Sequence, residues 1–346
     1  MTLAIENFNS KNILSSFNFA RRSEVVFCEE ISYEDFSKIE NKNTEVIYKK
    51  DKTILYLTKN FNLNNNSTIF SNTYLVESLF KIINSRDLDF SNLRLISHQA
   101  DHKIEKKLYN KKPHNFSKWF GINIDHKHED LVPIPLGLSN NYSPKNIRWE
   151  HFLKYKNIKK DIFIYSNFQV NTNYFERTKI LKNIKNKNFV TKEGPALSVN
   201  DYAEKLSKSS FVICPFGNGI DTHRYWESLY FNSIPITIKH LTYETSKNLP
   251  AMLIDSFESL SENECRLFLE DLKSKEVNYD PLTVDYWMKT IMSEPTKKQN
   301  EFEISLTKDE VENIKNKLYE KLKKEQFYKK YNTLQRKIHK KLNLFK

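Results

Sequence analysis

"FVICPFGNGIDTHRYWESLYFNSIPITI", residues 211–238, holds two of the chain's five glycines, two positions apart, between an apolar run and a segment carrying His223, Arg224 and Glu227. The run Phe211 to Cys214 reads as a buried strand, and Pro215 ends it because proline has no N–H for the ladder. Gly217 and Gly219, on either side of Asn218, let the backbone bend and approach a ligand closely. Asp221 or Thr222 then caps a helix whose first N–H groups point back at the loop and form an anion site. Arg224, in the first turn, adds a planar fork of donors suited to phosphate oxygens. Glu227 follows three residues later, about 4.5 Å along the axis, where a carboxylate can accept hydrogen bonds from ribose hydroxyls. Tyr225, Trp226, Leu229 and Tyr230 form the packing side. A nucleoside diphosphate with its sugar fits this order. Each part alone has a simpler reading: an ordinary tight turn, and a surface ion pair worth ~0.3 to 0.5 kcal/mol. A dinucleotide fingerprint would need a third glycine where Thr222 stands, and would usually open the chain's first domain.

Outward from this stretch, strands and helices alternate in two blocks. "EVVFCEEI" (24–31), "TEVIYKK" (44–50), "TILYLTK" (53–59), "LRLISHQ" (93–99) and "LVPIPLG" (131–137) read as strands, with a helix over 73–84. Then "DIFIYSNF" (161–168), a helix around 174–184, "FVTKEG", a helix over 199–206, the quoted stretch, and "AMLID" (251–255) follow. This order predicts an α/β protein with mostly parallel sheets covered by helices. The polar residues 140–160 are expected to bridge two domains, over 1–145 and 146–295, with 296–346 as terminal helices.

The composition, 39% hydrophobic with 24 Phe and 18 Tyr, excludes a disordered chain. Cys28, Cys214 and Cys265 are odd in number and lack ligand spacing, which argues against a disulfide framework or zinc site and for a reducing compartment. The N-terminus has no signal-peptide pattern and no run of about 18 apolar residues occurs, so a cytoplasmic chain is expected. Of the net +12, residues 321–346 carry +9, with nine Lys, one Arg and one Glu. That leaves the body near neutral and argues against a nucleic-acid partner. In this tail Phe327, Tyr331, Leu334, Ile338, Leu342 and Phe345 recur at helical spacing. Such a helix either suits an anionic membrane surface, as a peripheral attachment at the inner face of the cytoplasmic membrane, or packs its stripe on the body.

Residues 211–238 resemble the C-terminal signature of exostosin-like glycosyltransferases: an apolar strand, Pro, Gly, a helix with R-x-x-E and an I-P-I/V strand. "IYSNFQVNTNYFERTKIL" resembles the opening strand and helix of the same domain, and "LVPIPLGL" a segment that ends the N-terminal domain in bacterial members. Ser228 and Asn232 depart from the pattern, where small apolar residues and Gly are commoner. The resemblance covers residues 90–260. It implies a GT-B fold, two Rossmann-like domains facing across a cleft, here followed by the amphipathic C-terminal helical tail. It also implies an inverting hexosyl- or pentosyltransferase. Such an enzyme moves a sugar from a nucleoside diphosphate (or monophosphate) sugar to a glycan or lipid-linked glycan in surface polysaccharide (capsule or O-antigen) biosynthesis. No metal or other cofactor is obligatory. Gly217, Asn218, Gly219, Asp221, His223, Arg224 and Glu227 are then the donor-binding set, and Arg177 adds a second cation by the same resemblance.

Inverting transfer needs a base for the acceptor hydroxyl and positive charge for the leaving diphosphate. The base is expected across the cleft, past the carboxyl end of a first-domain strand. "LRLISHQADHKI" offers His98, Asp101 and His102, and "GINIDHKHEDL" offers Asp125, His126 and His128. Asp101 comes first, then His98, then Asp125; these are otherwise polar loop residues, with Asp101 capping a helix. A metal at His126 and His128 lacks a third ligand, and Asp87-Leu88-Asp89 lies in a polar connector. Two other function classes stay open: a non-catalytic or degenerate scaffold of the same fold, and a basic-tail polyanion binder.

Overall fold

Short apolar runs punctuated by Gly, Pro, Asn and Ser set the strands, and three- and four-residue apolar spacing sets the helices. The computed structural model describes residues 8–156, 158–292 and 301–344, with side chains as far as residue 338. Its strands are β1 (Val25–Ser32), β2 (Thr44–Lys49), β3 (Thr53–Thr58), β4 (Asn60–Leu63), β5 (Thr68–Asn72), β6 (Leu93–His98), β7 (Phe116–Gly121), β8 (Leu131–Pro133), β9 (Ile162–Ser166), β10 (Val190–Lys192), β11 (Ser209–Ile213), β12 (Ile234–Ile238), β13 (Met252–Ile254) and β14 (Phe302–Ser305). Its helices are α1 (Ser16–Arg22), α2 (Tyr33–Ile39), α3 (Val76–Asn84), α4 (Lys106–Tyr109), α5 (Trp149–Tyr155), α6 (Tyr174–Ile184), α7 (Val199–Lys208), α8 (His223–Tyr230), α9 (Glu262–Lys273), α10 (Val284–Ile291) and α11 (Lys308–Leu344).

Two sheets organise the chain. The first runs β2-β3-β1-β5-β6-β7-β8 and the second β10-β9-β11-β12-β13. The second is parallel throughout. The first is parallel from β1 to β8, but β2, β3 and β1 pair antiparallel. Only residues 50–52 separate β2 from β3, too few for a parallel crossover, so these strands form a hairpin at the sheet edge. β11 stops at Ile213, just short of Pro215.

Residues 140–160 are not a plain bridge, because α5 lies within them. Phe152 is buried, and its ring meets Tyr230 and Phe231 at centroid distances of 5.3 and 4.5 Å. The N-terminal segment makes a second link between the two sides. The Leu14 N–H donates to the Tyr230 hydroxyl at 2.8 Å, and the Val284 N–H donates to the Asn12 carbonyl at 2.7 Å. β14 then pairs antiparallel with β4. Ile304, Val311, Ile314 and Leu318 bury against the first sheet's core with Phe27, Leu57 and Leu79. The last segment is therefore a strand plus one long helix, whose proximal half belongs to the first sheet. Leu342 and Phe345 of the tail stripe lie outside the residues described with side chains. Among the described residues, no helix is long and apolar enough to cross a membrane.

Candidate functional site

β6 ends at His98, and the chain turns at Gln99 with φ of +72°, a conformation that costs energy for a long side chain. The turn is clamped to β1: Gln99 Oε1 accepts from the Glu30 N–H at 2.8 Å, and Nε2 donates to the Glu30 carbonyl at 2.9 Å. Ala100 and Asp101 thereby border a cavity of about 370 Å³ between the carboxyl edges of the two sheets. Its other walls include Glu30, Ile122 and Leu136 from the first side, and Thr172, Arg177, residues 217–219 and residues 221–223 from the second. Crevices at such edges are where open α/β sheets take their ligands.

The candidate bases separate clearly. Asp101 is exposed at the cavity wall, and among the described residues no side chain hydrogen-bonds to its carboxylate. His98 cannot serve. Its Nδ1 accepts from the Gln99 N–H at 2.9 Å and its Nε2 donates to the Pro135 carbonyl at 3.1 Å. The ring is buried, and burial pushes its pKa down to about 3. Asp125 is also displaced from the role. Lys103 Nζ at 2.9 Å and His240 Nε2 at 3.2 Å engage its two oxygens, and the Lys103 hydrogen bond leads in holding its pKa below the usual carboxylate range. It does not line the cavity. Glu30 does, but Lys50 and Thr53 occupy its oxygens, each at 2.7 Å. His102 lies beside the Tyr74 ring, 6.2 Å between centroids. His126 and His128 flank Tyr109, whose hydroxyl meets His128 Nδ1 at 2.8 Å. Asp87 and Asp89 stay in the connector between α3 and β6, away from the cavity.

On the other side, the glycine loop serves protein contacts that the sequence did not disclose. Neither Gly217 nor Gly219 has a positive φ; among the glycines only Gly137 does, at +69°. A Cβ on Gly219 would stand 2.8 Å from Asn123 Nδ2, so this glycine admits a first-side asparagine. Asn123 Oδ1 in turn accepts from the Asp221 N–H at 2.8 Å. Asp221 is buried and does not cap α8. Its oxygens accept from the Leu136 N–H and from Trp226 Nε1, both at 2.9 Å, which ties the loop to the first side. Asn218 stands exposed at the loop tip, in the cavity wall. His223 donates from Nδ1 to the Gly137 carbonyl at 2.7 Å, which leaves Nε2 as an acceptor at the cavity wall.

Burial pushes the Asp221 carboxyl up to about 7, against the opposing hydrogen bonds. A carboxyl raised above its unfolded value of 3.8 lets the folded chain bind the proton more tightly. That stabilisation is full below the unfolded pKa and is lost as pH rises through about 7. Burial shifts Glu29 in the same direction. The contribution of Asp221 to the melting temperature should therefore fall between about pH 4 and about pH 7 and level off above, and the fall in melting temperature over that range should be shallower in Asp221→Asn. Equal slopes in the two proteins would refute the assignment to Asp221.

Arg177 and Arg224 stand close enough that Arg224's charge, after burial, helps push the Arg177 pKa down to about 10. Arg177 is buried on α6 and spends three donors on backbone: Nε on the Phe216 carbonyl at 2.7 Å, Nη1 on Gln169 at 2.6 Å and Nη2 on Pro215 at 3.2 Å. It therefore shapes the loop. Arg224 lies over the Tyr202 ring, 5.3 Å from its centroid, with Nη1 buried and unpartnered. Glu227 accepts from the Tyr202 hydroxyl at 3.0 Å. Neither Arg224 nor Glu227 lines the cavity; from α8 and its cap, Thr222 and His223 do. Thr222 Oγ1 and Thr178 Oγ1 are likewise buried without partners. The result is a corner beside the amino end of α8 where Arg177 and Arg224 meet Glu176 and Glu227, with Arg224 Nη1 left unused among the described residues.

Sequence reasoning missed Gln99, Asn123 and Tyr202. An asparagine just past a strand end, able to take φ of +54° as Asn123 does, was the one available signal.

No family model, exostosin-like or other, matches the sequence, and no curated protein matches it. Among solved structures, the chain is similar to AviGT4, a glycosyltransferase involved in avilamycin A biosynthesis. The identity is 8% over 70% of this chain and 76% of that chain, with a TM-score of 0.30.

Proposed function

We propose that the chain is a glycosyltransferase of the two-domain, cleft-forming type, binding a nucleotide-linked sugar against the second sheet and its acceptor against the first. The observation that carries this reading is the pair of neighbouring arginines, Arg177 and Arg224, at the carboxyl edge of a parallel sheet. They stand beside a helix amino end, and Arg224 Nη1 is buried with no partner among the described residues. A buried guanidinium nitrogen left without an acceptor in a partly dry corner is stabilised by an anion, and a diphosphate supplies one. Asp101, at the cavity wall and unpaired among the described residues, is the base for an inverting displacement. Glu227, oriented by the Tyr202 hydroxyl at 3.0 Å, is the carboxylate for the ribose hydroxyls. The reaction takes no obligatory metal, and the acceptor is a glycan or lipid-linked glycan of a surface polysaccharide, handled at the cytoplasmic face.

A thermal-shift screen of nucleotide sugars tests this, since a ligand at 100 times its Kd adds about 2.7 kcal/mol of stability. For whichever nucleotide binds, Arg224→Ala should lower affinity at least about tenfold, the loss of a charge-assisted contact worth ~1.5 to 3 kcal/mol. Unchanged affinity by calorimetry would sink the donor assignment. Donor binding without any transfer or donor hydrolysis would instead favour a degenerate scaffold.

A further inference from the structure

α11 carries two apolar lines on opposite sides. In its proximal half Val311, Ile314 and Leu318 are buried against the first sheet. Lys321 donates to the Tyr74 carbonyl and Glu325 accepts from the Tyr74 hydroxyl. Counting about 100° per residue, this body-facing side continues to Arg336, whose guanidinium lies over the Tyr174 ring of the second side at 5.9 Å. Phe327, Tyr331, Leu334 and Ile338, spaced four, three and four, fall half a turn away. They are 67%, 50%, 57% and 50% exposed, with Tyr328 beside them at 63%. The body cannot reach this line without turning the helix over and losing the Tyr74 and Arg336 contacts. The sequence alternative in which the stripe packs back on the body is thereby excluded as far as Ile338.

Exposed lysines border the line, with Lys323, Lys330 and Lys337 along one flank and Lys324 on the other. We infer that this outer face of α11 docks on an anionic phospholipid surface. Apolar side chains enter the headgroup boundary, and the flanking ammonium groups meet lipid phosphates. Pairing with a second copy would set like-charged flanks against each other, so charge complementarity favours the bilayer. The opposite, body-facing side of α11 runs over residues that neighbour the cavity wall. Tyr74 lies beside His102, the residue after Asp101, and Tyr174 opens the helix that carries Arg177. A docked molecule therefore holds the cleft close to the bilayer. That the acceptor is lipid-borne rests on the transfer reading; the docking itself does not.

The full chain is floated with phosphatidylcholine vesicles, with and without phosphatidylglycerol, at low and high salt. Binding only to the anionic vesicles, and its loss in high salt, is the expected result. The stripe variant (Phe327→Ser, Tyr331→Ser, Leu334→Ser, Ile338→Ser) and the flank variant (Lys323→Gln, Lys324→Gln, Lys330→Gln, Lys337→Gln) should each bind at least about tenfold more weakly with unchanged melting curves. The inference is overturned by any of three results: no flotation of the wild type, flotation unaffected by the stripe variant, or a stripe-dependent dimer in solution. A lowered melting temperature in the stripe variant would also overturn it, since the line would then be packed. Nucleotide titration of the same proteins reads the donor site separately, so the two ideas fail independently.

Discussion

Asp101→Asn is expected to lower the rate of sugar transfer by roughly 10²- to 10⁴-fold, the range that a positioned base contributes. Nucleotide affinity should stay within about twofold, because the lost interaction exists only in the transition state. The expectation comes from elimination as much as from position. At the cavity, His98 has both ring nitrogens committed and Glu30 is held by Lys50 and Thr53; Asp125, outside it, is paired with Lys103 and His240. Asp101 alone of these presents a carboxylate free of such partners among the described residues. Single-turnover kinetics with saturating donor would check it. Retention of more than about a tenth of the wild-type rate would transfer the proton-accepting role to His223, whose Nε2 borders the same space.

Gly137→Ala should be the most damaging single-methyl change in the chain. Gly137 sits at φ of +69°, and a Cβ there would lie 2.4 Å from the Leu14 carbonyl oxygen and 2.5 Å from its carbon. Backbone cannot move aside as a flexible side chain can. Two hydrogen bonds meet at the same point: the Leu138 N–H donates to the Leu14 carbonyl at 2.8 Å, and His223 donates to the Gly137 carbonyl at 2.7 Å. The strained φ and the clash together should cost roughly 3 kcal/mol or more, seen as a melting temperature lower by about 5 °C or more. Gly194→Ala is the control, since nothing lies within 4 Å of a Cβ there. Equal melting temperatures for the two variants would show that the junction at Leu14 is loose.

Most of the element order was legible because its signals are local. Pro215 stops β11, the three- and four-residue apolar spacing marks α3, and the β11–α8–β12 succession follows its punctuation. What escaped depends on partners far along the chain. His98 looks like a base until the Pro135 carbonyl, 37 residues on, takes its Nε2. Gly219 looks like a ligand-facing glycine until Asn123 fills the space. Asp221 reads as a helix cap from its neighbours, yet Leu136 and Trp226 use both its oxygens. α5 was hidden because seven residues flanked by lysine, asparagine and serine give too short a periodic run to stand out from a loop. The edge hairpin was hidden because apolar strands look alike whichever way they run.

The double link between the two sides has a mechanical consequence. A molecule whose halves share one tether can twist, swing and drift apart, whereas one joined along two lines works like a door on two pins. Here the pins are the run from β8 to α5 and the N-terminal segment, latched by Leu14 to Tyr230 and by Asn12 to Val284. Opening and shutting of the cleft is then confined to a swing about one axis. A protease nick in the exposed loop around Tyr142 would leave both halves travelling together under native conditions, coming apart only in denaturant.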